Sequence, residues 1–197
     1  GTPFLYNGEE IGMTDLILQD VNQFQDVLGV LYYQAQVEQL GSSPAEAMRM
    51  ASIMTRDKNR TPMQWANRAN AGFCPDEVSP WLPVNPNYTQ GVNVQDQEND
   101  PDSLLNFYRR LLRFRKNTPA LIGGTYLPYH PRHQKVLAFL RQVPEQSCLV
   151  VLNYSDEPES LFLPGDKDEI SIKFSTHPVS GVVKPGRRMC FDPFEIG

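Results

Sequence analysis

The chain is 197 residues long, 40% hydrophobic and 10% aromatic, with 18 basic against 23 acidic side chains and a formal charge of −5. Such a composition is globular, the length allows one or two units with real cores, and the acidic balance argues against nucleic-acid or anionic-membrane partners. No apolar stretch reaches the roughly 18–20 residues that cross a bilayer, Gly1-Thr2-Pro3 does not resemble the basic start of a signal peptide, and the widely spaced Cys74, Cys148 and Cys190 include no CxxC, which points to a reducing, cytoplasmic setting rather than a disulfide framework.

Residues 1–8 form a short apolar and aromatic run closed by Asn7-Gly8 and read as a buried strand entering a turn. From Asp20 to Leu40 the spacing of Val21, Phe24, Val27, Leu28, Leu31, Tyr32 and Val37 predicts an amphipathic helix, with Asp20 and Gln23 as a capping box and Gly41 as the stop. Gly29 inside it costs about 1 kcal/mol relative to alanine, so a close neighbour or a break is expected there. Ser43-Pro44-Ala45-Glu46 starts a second helix that runs to about Met54. Residues 56–100 hold five prolines and no sustained period, which predicts a long loop; Trp65, Phe73, Trp81 and Tyr88 make it an ordered one. Asp100-Pro101 starts a helix with an apolar stripe of Leu104, Phe107, Tyr108, Leu111 and Leu112, opposite the basic run of Arg109, Arg110, Arg113, Arg115 and Lys116. After Leu121 the period becomes two. Runs at 125–129, 135–141, 148–154, 160–163, 170–174 and 188–191 predict an antiparallel β-sandwich, with a domain boundary near 120–124.

Few residues offer chemistry. Glu9 and Glu10 are adjacent, so in an extended segment they point to opposite faces and cannot form a facing carboxylate pair; they read as loop anchors. His130-Pro131-Arg132-His133 reads as an exposed turn, not a metal site, since no further ligand lies nearby in sequence. No phosphate-cradling glycine loop, GxSxG or HExxH occurs, so no cofactor or metal is implied. Asn59, Asn87 and Asn153 begin glycosylation acceptor patterns, relevant only to a secreted eukaryotic protein. The segment Thr55-Arg56-Asp57-Lys58-Asn59-Arg60-Thr61-Pro62-Met63-Gln64-Trp65 combines planar donors with aromatic faces on a loop directly after a helix. That is the chemistry of a sugar or carboxylate pocket, although an arginine-anchored structural loop uses the same groups.

These residues carry a resemblance. Residues 1–13, Arg56 to Trp65, Asn70-Ala71-Gly72-Phe73 and Trp81 to Tyr88 resemble, in order and separation, the C-terminal part of α-glucosidases of glycoside hydrolase family 13, in the group of oligo-1,6-glucosidases, dextran glucosidases and sucrose isomerases. The resemblance implies an α+β fragment. Residues 1–120 would be the C-terminal end of a (β/α)8 barrel, with strand 8, inserted helices, a long loop and the last helix; residues 121–197 would be an antiparallel all-β C-terminal sandwich domain. Active sites of such barrels lie at the C-terminal ends of the strands. The family's nucleophilic Asp, acid/base Glu and third Asp come from strands four, five and seven, so this chain is expected to carry no catalytic carboxylate and to be inactive alone, with the missing N-terminal barrel portion as its partner. Arg56 matches the arginine that contacts the non-reducing glucose, whose own carboxylate partner lies on an earlier loop outside this chain.

Two departures qualify that expectation. Where isomaltose-cleaving and isomerase members place a sugar-contacting glutamate, this chain has Leu28, which accepts no hydrogen bond from a hydroxyl, so an α-1,6 preference is not implied. Residues 191–195 resemble the turn before the family's last strand, and the chain stops at Gly197 before that strand is complete. The function implied is a retaining α-glucosidase acting on oligosaccharides. The competing readings are a non-catalytic carbohydrate-binding or interaction module, an inactive barrel relative of amino-acid transporter heavy subunits, and a sucrose isomerase or transglycosylase.

Overall fold

The computed structural model describes residues 2–164, 169–177, 181–184 and 186–196, so Gly1 at the head of the opening motif and Gly197 at the chain's end lie outside the described residues. The chain folds as two compact units, Thr2–Arg109 and Arg110–Gly197.

In the N-terminal unit, residues 2–6 are not the buried strand their composition predicts. They have no regular secondary structure, and Phe4 is 91% exposed. A strand is held by ladder partners and a covered face, and no described strand pairs with this segment. The Asn7-Gly8 turn does form. Gly8 has φ 101, and a Cβ there would lie 2.5 Å from Met13 Sδ, so both backbone and space demand glycine. A single helical turn, Glu9–Ile11, follows and buries Ile11.

The helix predicted over 20–40 is two pieces. Asp20 caps a 3-10 turn, Val21–Gln23, by accepting from Asn22 N at 2.9 Å. The chain then extends at Phe24, and Asp26 caps α1, Val27–Glu38, by accepting from Leu28 N. The break has a distant cause: the N–H groups of Gln25 and Asp26 donate to Asp57 Oδ2, at 2.7 and 2.8 Å, instead of to helical carbonyls. Gly29 is buried with its expected close neighbours, since a Cβ there would lie 3.0 Å from Phe24 and Thr55 side-chain atoms.

The helix α2, Pro44–Met54, follows its sequence signals, with Pro44 in the first turn and Ser43 Oγ accepting from Glu46 N. Leu18, Phe24, Ala51 and Leu82 form one apolar cluster with Val30 and Tyr33 of α1 packed against it.

The long loop is ordered by amides more than by its aromatics. Gln64 Nε2 donates to Asn87 Oδ1 and Val92 O, Asn85 Nδ2 to Thr14 O, and Asn93 Nδ2 to Tyr88 O, while Gln64, Asn85 and Asn93 are all buried. Trp65 and Trp81 are about half exposed. Asn93 caps the short α3, Val94–Glu98. The last long helix, α4, Leu104–Lys116, starts later than Asp100-Pro101 predicts because Ser103 Oγ takes the Asn106 N–H; the division between the units falls inside it. Leu105, outside the predicted stripe, is its buried residue, whereas Leu104 and Leu112 are exposed.

In the C-terminal unit α5, Pro119–Gly123, precedes, among the described residues, the strands β1 Thr125–Tyr129, β2 Val136–Val143, β3 Gln146–Asn153, β4 Glu159–Phe162, β5 Ile170–Ile172, β6 Gly181–Val183 and β7 Arg188–Phe191. All pairings are antiparallel, in the orders β1-β2-β3, β4-β7 and β5-β6. Ala138 opposite Tyr129 and Val151 sets the inward register, and the core joins Val136, Ala138 and Val151 of the first sheet to Leu161 and Phe191 of the second. That is the predicted sandwich, with β6 as an addition too short to show a visible alternation. Residues 195–196 meet the edge of β3, with Ile196 bridging Leu152 and Asn153 N donating to Glu195 O at 2.9 Å.

Candidate functional site

The site forms where α2 hands over to the loop, inside the N-terminal unit. Thr55 ends the helix in an extended conformation, and its Oγ1 accepts from Asp57 N at 3.2 Å, which turns the chain into the helical turn Asp57–Asn59. Asp57, 2% exposed, reaches back to the two N–H groups before α1 and so fixes Asp26 beside Arg56. Asp26 Oδ2 accepts from Arg56 Nε at 2.9 Å and from Arg56 N at 3.0 Å, while Oδ1 accepts from Nη2 at 2.7 Å. The result is a two-pronged guanidinium–carboxylate pair reinforced by a backbone donor, with rigid planar geometry.

The two partners sit in different surroundings: the Asp26 side chain is 1% exposed and that of Arg56 55%. The Arg56 side-chain hydrogen bond, then its backbone N–H, hold the Asp26 carboxyl far below the usual carboxylate range against the opposing effect of burial, and the same pairing raises the guanidinium. Asp26 is therefore a fixed anion at physiological pH. It consumes the Nε–H and one Nη2–H and leaves the other donors of the half-exposed Arg56 unused, and Arg56 lines an open cavity of about 320 Å³ together with Val27, Arg60, Trp81 and Leu82. Trp81 is posed by an Nε1–H bond to Arg60 O at 3.2 Å and by the edge of Phe73, ring centroids 4.9 Å apart. An oriented cation, a half-exposed indole and apolar walls together suit a polyhydroxylated ligand, whose hydroxyls accept from Arg56 while its C–H face covers Trp81.

Of the segment singled out from sequence, Thr55, Arg56, Asp57 and Arg60 enter this arrangement, Arg56 as its central donor. Among the described residues the carboxylate partner of Arg56 is Asp26. Asp26 is the site residue that sequence reasoning misses, and the roles of Asp57 and Trp81 are not assigned there. Asp57 is readable only as the neighbour of Arg56, and Asp26 only as a cap before Val27 and Leu28. Leu28 lies 56% exposed in the first turn of α1. Glu9 and Glu10 both anchor their loop: Glu9 Oε2 accepts from Tyr6 N and Glu10 Oε2 from Gly8 N, at 3.1 and 2.9 Å. His133 is more than an exposed turn residue, since its Nδ1 accepts from Lys135 N and Val136 N, while Nε2 lies 3.8 Å from Glu159. Among the described residues no group of three or more His, Cys, Asp or Glu is placed to hold a metal ion. No described helix is long and apolar enough to cross a membrane. All three cysteines are free. Asn153 is 2% exposed and donates to three carbonyls, which leaves its amide no room for a glycan.

Comparison with known proteins identifies relatives of the chain. The family model described as "Alpha amylase, catalytic domain" matches residues 1–124. The probable oligo-1,6-glucosidase 2 of Bacillus subtilis (strain 168) is 38% identical over 157 residues, which are 80% of this chain and 28% of that protein. The oligo-1,6-glucosidase of Bacillus cereus is 31% identical over 195 residues, 99% of this chain and 34% of the relative. Among solved structures, the trehalulose synthase MutB from Pseudomonas mesoacidophila MX-45 superposes with a TM-score of 0.85 at 34% identity, over 100% of this chain and 35% of that one. The chain thus spans about a third of the length of the proteins it matches.

Proposed function

The chain belongs to the α-amylase family of glycoside hydrolases, family 13, and on that premise we propose that it is part of a retaining α-glucosidase that hydrolyses α-glucosidic bonds in oligosaccharides. Residues 1–120 close the barrel and 121–197 form its C-terminal β domain. The chemistry needs a nucleophilic carboxylate and a protonated carboxyl about 5–5.5 Å apart. The barrel portion that precedes this segment in the relatives supplies both. This chain contributes one wall of the substrate pocket, and Arg56 binds the glucose whose bond is cleaved.

The observation that carries the reading is the Asp26–Arg56 pair: the carboxylate is buried, the guanidinium is locked by two prongs with donors to spare, and Arg56 lines a cavity together with Trp81. A donor held in place before substrate arrives need not reorganise as charge develops on the sugar ring, so it stabilises the transition state at little cost. Val27 and Leu82 put an apolar surface beside it, and the exposed Leu28 next in the chain accepts no hydroxyl bond, so recognition of the sugar on the leaving side rests on shape more than on hydroxyl acceptance.

In the full-length enzyme, Arg56→Ala lowers kcat/KM by about 10²–10³-fold, the loss typical of one preorganised donor; an unchanged kcat/KM removes Arg56 from the site. The 197-residue chain alone releases no p-nitrophenol from the aryl α-glucoside above the buffer rate, and turnover at a catalytic rate would overturn the assignment of the carboxylates to the preceding strands. A sucrose isomerase is the second reading, favoured by the structural likeness to a trehalulose synthase. Products from sucrose separate the two, glucose and fructose for a hydrolase, an isomeric disaccharide for an isomerase.

A further inference from the structure

A second cavity, of about 490 Å³, lies in the C-terminal unit, at the turn between β1 and β2 and the end of β3. It falls within the usual range of ligand pockets, about 300–1,000 Å³. Its walls are Tyr126, Pro128, Tyr129, Tyr154 and the imidazoles of His130 and His133, with aliphatic side chains of β2 between them and no carboxylate, ammonium or guanidinium group. A cavity so lined does not select a charged ligand.

The aromatic rings are held in place. Tyr129 donates its phenol to Phe162 O at 2.9 Å, and Tyr154 donates to Gln134 O. Both hydroxyls sit on backbone carbonyls, which pins the rings while leaving Tyr154 55% exposed. Tyr126, 52% exposed, leans on Phe139 with centroids 5.2 Å apart. His130 occupies the left-handed region, φ 48, which a residue with a Cβ adopts at some cost, and its ring stands edge-on to Tyr129 at 4.6 Å. Among the described residues neither the Tyr126 phenol nor the His130 imidazole has a hydrogen-bond partner, so both are available to a ligand. Fixed aromatic faces that lose no rotamer freedom on binding, beside uncharged donors and acceptors, match the alternating C–H faces and hydroxyls of a sugar chain.

We propose that this cavity is a second oligosaccharide-binding site, in which an uncharged hexose chain lies against Tyr126, Tyr129 and Tyr154 while the Tyr126 phenol and His130 bond its hydroxyls. The site does not depend on Arg56 and catalyses nothing; it holds substrate on the enzyme. The test titrates maltotriose, and separately isomaltotriose, into the 197-residue chain and follows backbone amide shifts. At least one sugar should give saturable shifts over residues 126–133 and 154. Tyr126→Ala should weaken that binding about tenfold, a loss of about 1.4 kcal/mol. His130→Gly, which keeps the backbone conformation at no steric cost, should weaken it severalfold with an unchanged circular dichroism spectrum. Arg56→Ala should leave these shifts as they are, so that failure of the pocket assigned to Arg56 and failure of this one are told apart. Absence of saturable shifts over 126–133 with both sugars overturns the proposal, as does binding that survives both the Tyr126 and the His130 substitution.

Discussion

The two units solve the same problem with different materials. The C-terminal unit is held by an apolar core in which Val136, Ala138, Val151, Leu161 and Phe191 are each at most 3% exposed, and its chain follows a two-residue alternation. The N-terminal unit buries Asp26, Ser52, Asp57, Gln64, Asn85 and Asn93 beside two small apolar clusters, and much of its chain is loop. A region that is largely loop cannot satisfy its backbone through ladders, so buried side chains take over that role, each fitted to specific N–H and C=O groups. Such a scaffold places a donor accurately, and it tolerates the loss of any one member poorly.

The largest expected effect tests the apolar side of this contrast. Phe191→Ala, in the core between the two sheets, should lower the stability read by amide exchange in β2 and β3 by about 3–5 kcal/mol. On the polar side, Asp57→Ala strands the buried N–H of Asp26, at about 1–3 kcal/mol for an unsatisfied donor, and frees the part-buried N–H of Gln25, which water can reach at smaller cost, so the loss should be about 2–4 kcal/mol. Both tryptophans, Trp65 and Trp81, lie in the N-terminal unit, so fluorescence-detected urea unfolding reads this second loss. If Asp57→Ala costs no more than an exposed substitution, the buried carboxylates are ornaments of the loop and not its frame.

Acid sharpens the contrast. The Asp26 carboxyl titrates below its unfolded value of about 3.9, so its contribution is fully present above that pH and is lost as pH falls toward the folded value. The ion pairs of the C-terminal unit, Lys135 with Glu157 and Glu159, are largely solvent-exposed and contribute little. The fluorescence transition should therefore weaken steeply below about pH 4, and Asp26→Asn should flatten that dependence while leaving the exchange protection of β2 and β3 unchanged. An identical acid slope in the variant would remove Asp26 as its source.

What can be read from the sequence follows the same division. The strands at 125–129 and 188–191 and the helix α2 are set by neighbours within a few residues, and they lie where alternation and capping place them. The helix over 20–40 breaks because of a carboxylate more than thirty residues away, which no local pattern reports. The same distance hides Asp26: as a residue it is one more cap, and only the fold brings it under Arg56. Arg56 itself is visible because loop arginines flanked by aromatic and amide groups have a limited range of uses. The opening segment departs from its expected strand for a further reason, since an apolar run marks a strand only where something covers it.

Gly29→Ala gives the smallest effect and tests the join between the two descriptions. On helix propensity alone the change should stabilise α1 by about 0.8–1 kcal/mol. The added methyl would lie 3.0 Å from Thr55 Cβ and Oγ1 and from Phe24 Cδ2, and both side chains are nearly fully buried. Thr55 has little freedom to retreat, because its Oγ1 holds Asp57 N and its backbone leads directly into Arg56. Crowding of this kind costs about 1–3 kcal/mol, so the net expectation is a loss of about 1 kcal/mol in the fluorescence transition, and in the full-length enzyme a lower kcat/KM as Arg56 shifts. A gain in stability would mean that the handover from α2 to the loop yields easily, and a handover that yields cannot hold Arg56 in a fixed pose.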